Sequence, residues 1–252
     1  MSSLLKILVA SIAALGMAQA NAGILKVDKA AFIAGSGLIT FSEFPLTTTN
    51  PTYLPANYGG GALSPTVTFD GFFTGQSLSA NPAVDCPSGA PSGCVVGSPS
   101  GPLSLAAGAP DTFITTDTAN PTSPVLSGTP RFNGPIGILF SADQAGVGLD
   151  GGFFDNKGGT AITAFARDGS LLGVVTNTVT GIEFLGLVTD DGKSRIAGLL
   201  FSLVGAEGAG FAIDNVRLGK EGEVDVPGVP EPVSLALLGL GLAGLGWSRR
   251  KA

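Results

Sequence analysis

Whatever acid–base chemistry this sequence can offer rests on carboxylates. Asp143, Asp150, Asp155, Asp168, Glu183, Asp190, Asp191, Glu207 and Asp214 are spread through its second half. Glycoside cleavage would need two of them facing each other across a sugar, roughly 5–10 Å apart. Sequence alone does not place any pair so, and Asp168-Gly169 and Asp191-Gly192 read more simply as turn corners. The chain has no His, which excludes a Ser-His-Asp or Cys-His triad and any imidazole-ligated metal. Two Cys cannot build a four-thiolate zinc or iron–sulfur site. Oxygen ligation of calcium is the better match. Asp155-Asn156-Lys157-Gly158-Gly159 offers two adjacent oxygen side chains on a flexible turn, with Lys157 counting against it. Asp214-Asn215 forms a second oxygen pair, one that Asp150 could approach. No EF-hand loop pattern occurs. Asp150, Asp155 and Asp214 are therefore the candidate calcium ligands, and no other cofactor is expected.

Short strands must position these groups. Apolar alternation marks Thr66–Phe73, Asp111–Thr116, Gly137–Phe140, Val147–Phe154, Thr160–Arg167, Leu171–Thr176, Ile182–Thr189, Arg195–Val204 and Phe211–Leu218, and no sustained helical period appears. Asp168-Gly169 joins two of these runs as a tight hairpin, because Gly tolerates a positive φ. In the last run Phe211 and Ile213 are expected to face opposite to Val216 and Leu218. Pro and Gly punctuate residues 42–135, which read mostly as long surface loop with short edge strands. The expectation is an all-β, antiparallel, jelly-roll-like β-sandwich with long loops, over residues 23–220.

Both ends of the chain carry different chemistry. Lys6, the uncharged run Ile7–Met17 and the small residues through Ala22 have the three parts of a secretory signal peptide, expected to be cut after Ala22. Its partners would be the Sec translocon and signal peptidase. Export places the two cysteines in an oxidising compartment, where Cys86 and Cys94 are the natural disulfide pair. Four of the 13 Lys and Arg lie in the two ends, so the stretch between them is more acidic than the net charge of −6 suggests. That acidity excludes a nucleic-acid partner.

At the other end, a short acidic and Pro-containing linker (221–228) leads to Val229-Pro230-Glu231-Pro232. The run 233–247 follows without a charge and ends in Trp247, and Arg249, Arg250 and Lys251 close the chain. As a helix those 15 residues rise about 22 Å, a short span that Trp247 and snorkelling basic stems could seat in a membrane. Gly239 to Gly244 also spells G-x-G-x-x-G, but only eight residues follow it, too few for a dinucleotide-binding unit.

Pro-Glu-Pro, a short Gly/Leu-rich apolar segment and a terminal basic cluster resemble the PEP-CTERM sorting signal of Gram-negative bacteria. The resemblance covers 229–252 and implies processing by exosortase, a membrane transpeptidase, in an exopolysaccharide or biofilm setting. Gly210–Leu218 weakly resembles the last strand of extracellular jelly-roll modules, some of which bind carbohydrate. In that reading Tyr53, Tyr58, Phe72 and Phe73 are the aromatics that would stack on pyranose rings. The expected function is a non-enzymatic, structural or adhesive protein of the cell surface or extracellular matrix, reached from an inner-membrane-anchored precursor. A calcium-dependent carbohydrate-binding module and a carboxylate-based polysaccharide hydrolase or lyase are the alternatives, and exopolysaccharide is the expected partner.

Overall fold

In the computed structural model the described residues are 23–33, 37–90, 93–208 and 210–227. The signal peptide, the apolar run 233–247 and the sorting residues from Val229 to Lys251 lie outside them. Among the described residues, no helix is long and apolar enough to cross a membrane.

Alternating β-branched and aromatic residues make the fold almost entirely from strands. The first half supplies β1 (Ile24–Val27), β2 (Leu38–Ile39), β3 (Thr52–Tyr53), β4 (Val67–Asp70), β5 (Gln76–Leu78), β6 (Val95–Gly97) and β7 (Thr112–Asp117). Next come β8 (Asn120–Gly128), β9 (Ile136–Gln144), β10 (Gly146–Phe154) and β11 (Thr160–Phe165). The last strands among the described residues are β12 (Leu171–Thr176), β13 (Gly181–Thr189), β14 (Ile196–Leu203) and β15 (Ala212–Gly219). One large sheet runs β1-β13-β10-β15-β8-β7, with β2 also on β15, the other runs β12-β11-β14-β9-β4-β3, and β5 and β6 pair in a small two-stranded sheet. All pairings are antiparallel. The eight strands from β8 onward occupy the orders β8-β15-β10-β13 and β9-β14-β11-β12, the double-sheet arrangement of a jelly roll.

Inward residues of both sheets meet in one apolar core. Leu149, Leu185, Leu187 and Ile213 come from one side and Phe69, Ile138, Ile162 and Phe201 from the other. Phe201 packs edge-on against Phe211 at 4.8 Å between centroids. A ring of this kind, fully buried, contributes about 3–5 kcal/mol by comparison with alanine. The outer faces are not left bare. Phe72, Phe73, Leu103, Phe165, Ala197 and Leu200 form a second cluster on the outside of the six-stranded sheet. Val27, Phe32, Val188 and Val224 form a third on the outside of the other. There the Phe184 ring lies across Gly148 and Gly186, where any Cβ would collide with it.

Two departures from the alternating pattern shape the candidate site. Strand β15 carries a β-bulge. Gly148 pairs with Arg217 and Asp150 with Asp214, so one residue of β10 faces two of β15. Asn215, the extra residue, adopts φ = 51°, a left-handed conformation that Asn tolerates better than most side chains. The bulge shifts the phase of the strand. Phe211, Ile213, Val216 and Leu218 all reach the same core instead of facing opposite ways. Strand β8 was hidden in sequence by Pro121 and Pro124, which remove two N–H donors. Its ladder to β15 is a single pair, Ile213 with Leu126, and β2 takes over at Val216 and Arg217.

The stretch 221–226, read from sequence as linker, is docked. Val224 bridges to Phe32, and the Asp225 N–H donates to the Ala31 carbonyl at 2.8 Å.

Candidate functional site

The bulge and the interrupted ladder open a cavity of about 200 Å³ on the outer face of the larger sheet. Asp150, Asp214, Asn215, Asn120 and Asp117 supply its polar wall, and Val125, Ile213 and Ile182 its apolar lining. Asp150 and Asp214 are register partners on β10 and β15. The Asn120 Nδ2 donates to Asp214 Oδ2 at 2.9 Å, and the Asn215 Nδ2 to Asp150 Oδ2 at 2.9 Å. The Asn215 backbone N–H donates to Asp214 Oδ1 at 2.7 Å. Lys29 Nζ stands 3.7 Å from Asp150 at the margin. Asp214 is only 3 % exposed. Burial pushes its carboxyl above the usual range and the Asp150 charge adds to this, against hydrogen bonds from Asn215, Ser123 and Asn120.

The three expected calcium ligands do not come together. Asp150 and Asp214 line the cavity, as their sequence pairing suggested, but Asp155 does not. Asp155 lies at another loop, where its backbone N–H donates to Oε1 of the fully buried Glu207 at 2.8 Å. Burial raises the Glu207 carboxyl in turn. Among the described residues, no group of three or more His, Cys, Asp or Glu is placed to hold a metal ion.

The aromatic expectation is corrected outright. Tyr53 and Phe73 are fully buried, and Tyr58 and Phe72 nearly so, because the two tyrosines join the core between the sheets and the two phenylalanines the covered cluster on the outside of the six-stranded sheet. Tyr53 packs edge-on against Phe41 and Phe69. The Tyr58 hydroxyl donates to the Pro65 carbonyl, and burial pushes its pKa up to about 12. None of these rings can stack on a ligand from solvent. An aromatic that can is Phe153, 51 % exposed beside the cavity residue Gly152. Its signal in sequence was the Phe153-Phe154 pair, since adjacent strand residues point to opposite faces.

Four more of the carboxylates have structural partners. Asp168 accepts from the Ser170 N–H and hydroxyl at 2.9 and 2.6 Å. Asp143 pairs with Arg167, and Asp191 with Arg195. Burial alone would raise the Glu183 carboxyl, but the Lys26 ammonium and the Val179 and Thr178 N–H groups hold it below the usual range. Cys86 and Cys94 form a disulfide with Cα atoms 5.4 Å apart. It joins the end of a short helix, α1 (Pro82–Asp85), to the residue before β6.

The site thus sits on an antiparallel β-sandwich that carries one disulfide and a polar cavity on an outer face. Comparison with known families then identifies where it goes. Residues 228–251 match the PEP-CTERM protein-sorting motif, beginning one residue beyond Pro227. The motif implies an exported, membrane-anchored precursor processed by exosortase for the cell surface. No curated protein and no solved structure matches the chain.

Proposed function

We propose that the β-sandwich is a structural or adhesive component of the bacterial surface or extracellular matrix, without enzymatic activity. In this reading the Sec translocon exports the chain and signal peptidase removes residues 1–22. The apolar run 233–247 arrests it in the inner membrane, and exosortase acts at Pro230-Glu231-Pro232.

The observation that carries the proposal is the placement of the sorting motif against the fold. The last strand of the sandwich ends at Gly219, the docked segment ends with Asp225 and Val226, and the motif starts at residue 228. Processing within 229–232 therefore leaves every described residue of the sandwich in place. The structural pairing of Asp143, Asp168, Glu183 and Asp191 supports a non-catalytic reading of those carboxylates. Contact with a neutral polysaccharide is a second reading, favoured by the cavity at Asp150 and Asp214.

Glu231→Ala and a deletion of 249–251 should each leave an unprocessed, membrane-held chain when the native host is fractionated. Intact mass of the surface form reports both terminal cuts at once. Normal surface display of the deletion variant refutes sorting through this signal.

A further inference from the structure

The cavity on the outer face of the larger sheet carries more polar capacity than the fold uses. Asp214 is saturated by N–H and O–H donors and serves as the fixed post of the site. Around it, the Asn120 and Asn215 amides each spend one N–H on a carboxylate, and Asp150 engages one oxygen with Asn215. The lining thus combines amide groups, which donate and accept, with carboxylate acceptors and with the apolar Val125 and Ile182. A divalent cation is served poorly here, because it demands six or more oxygens and the carboxylates are already clasped by N–H groups. An anion meets Asp117, Asp150 and Asp214 together, against which stands the Lys29 ammonium, itself 3.7 Å from Asp150. Hydroxyl groups, which donate and accept at once, satisfy both halves of the set.

The surroundings match an oligomeric ligand. Ile182, 50 % exposed, is part of the lining, and Phe153, 51 % exposed, follows the lining residue Gly152 in sequence, so both offer apolar surface against which a sugar ring can lie. A second cavity of about 300 Å³ shares Asp117 as a wall and holds Arg131 stacked on Phe132 at 4.7 Å. Phe132 has φ = 64°, a strained conformation for an aromatic residue. It is fixed there by its N–H to Ser127 Oγ and by the Phe211 N–H to its carbonyl. Such over-determined strain collects where side chains are presented to ligands.

We infer that this surface binds a neutral, polyhydroxylated sugar, one pyranose ring seated between Asp150, Asn120 and Asn215 against Phe153, with the next ring directed past Asp117 toward Phe132. The inference names the ligand class and site for the matrix reading above, and depends on that reading only for where the sugar comes from.

The test titrates the purified full chain in detergent by calorimetry. The probes are methyl glycosides of glucose, galactose, mannose and N-acetylglucosamine, their neutral disaccharides, glucuronic acid, and calcium chloride alone. At least one neutral glycoside should bind with Kd of ~1 mM or tighter, with the disaccharide tighter still and glucuronic acid silent. Asp150→Ala and Asn120→Ala should each weaken binding at least tenfold, and Phe153→Ala should weaken it while keeping the melting temperature of the parent. Three results overturn the inference: no neutral sugar binds, the same variants leave binding unchanged, or calcium alone gives the heat that Asp150→Ala removes. Fractionation of Asp150→Ala cells keeps the two readings apart. The variant should reach the surface like the parent, so a silent calorimeter removes the sugar site and leaves sorting standing.

Discussion

The conformation of Asn215 sets the phase of β15, and its replacement gives a quantitative check on that account. Asn215→Gly keeps the left-handed backbone and loses the side chain's hydrogen bond to Asp150. For a bond to a charged group at a half-buried site this costs about 1.5 kcal/mol. Asn215→Val loses the same bond and also forces a β-branched residue to φ = 51°, adding about 1–2 kcal/mol. Each kcal/mol shifts the melting temperature of a domain this size by about 2–4 °C. The Gly variant should therefore melt about 3–6 °C below the parent, and the Val variant about 5–14 °C below it. Differential scanning calorimetry on the full chain measures both. If the Val variant melts at or above the Gly variant, the bulge is not what aligns Ile213 and Val216 on one core, and the description of β15 fails.

Three further outcomes follow from the same geometry. Replacing Cys86 and Cys94 together by Ser opens a closed loop with a sequence separation of 8 and should cost about 2.5 kcal/mol, roughly 5–10 °C in melting temperature, in the loop-entropy account. An unchanged melting temperature refutes a stabilising role. Burial raises the carboxyls of Asp214, Glu207 and Asp70, so the folded state takes up their protons first. Their effect makes stability rise as pH falls from neutral toward the ordinary carboxylate value near about 4. Glu183 and Asp191 are held low by Lys26 and Arg195, and their contribution is lost only at more acid pH. Urea midpoints across this range should peak in mild acid, and a steady rise from pH 4 to 7 would contradict it. Finally, the 249–251 deletion should strand the precursor in the membrane fraction.

The hairpin around Asp168-Gly169 was legible because Thr160–Arg167 alternates cleanly and a Gly closes its turn, and β11 and β12 stand there. Strand β8 was illegible for the opposite reason. Its prolines read as loop, and the strand survives by pairing with β7 on one side while giving up most of its ladder on the other. Alternation in β15 was read without its bulge, because nothing in Asp214-Asn215 by itself distinguishes a kinked strand from a straight one. The aromatics were misread because a sandwich was expected to have one buried face per sheet. Here Phe72, Phe73 and Phe165 also bury the outside of the second sheet. At the candidate site, the approach of Asp150 to Asp214-Asn215 was visible in outline. Asn120 was not, since its contact with Asp214 spans 94 residues and depends on a strand that sequence concealed.

The position of β15 in the larger sheet has a temporal consequence. It is the last strand among the described residues, yet it lies in the interior between β10 and β8. A polypeptide threading outward from its N-terminus delivers the outer members of that sheet early and the middle one at the end. Until residue 219 has emerged, β10 and β8 flank an empty slot and the core lacks Ile213, Val216 and Leu218. A product cut short before that point lacks the strand that joins β10 to β8. Because the motif at 228–251 follows so closely, the strand that completes this sheet and the sorting motif emerge from synthesis almost together.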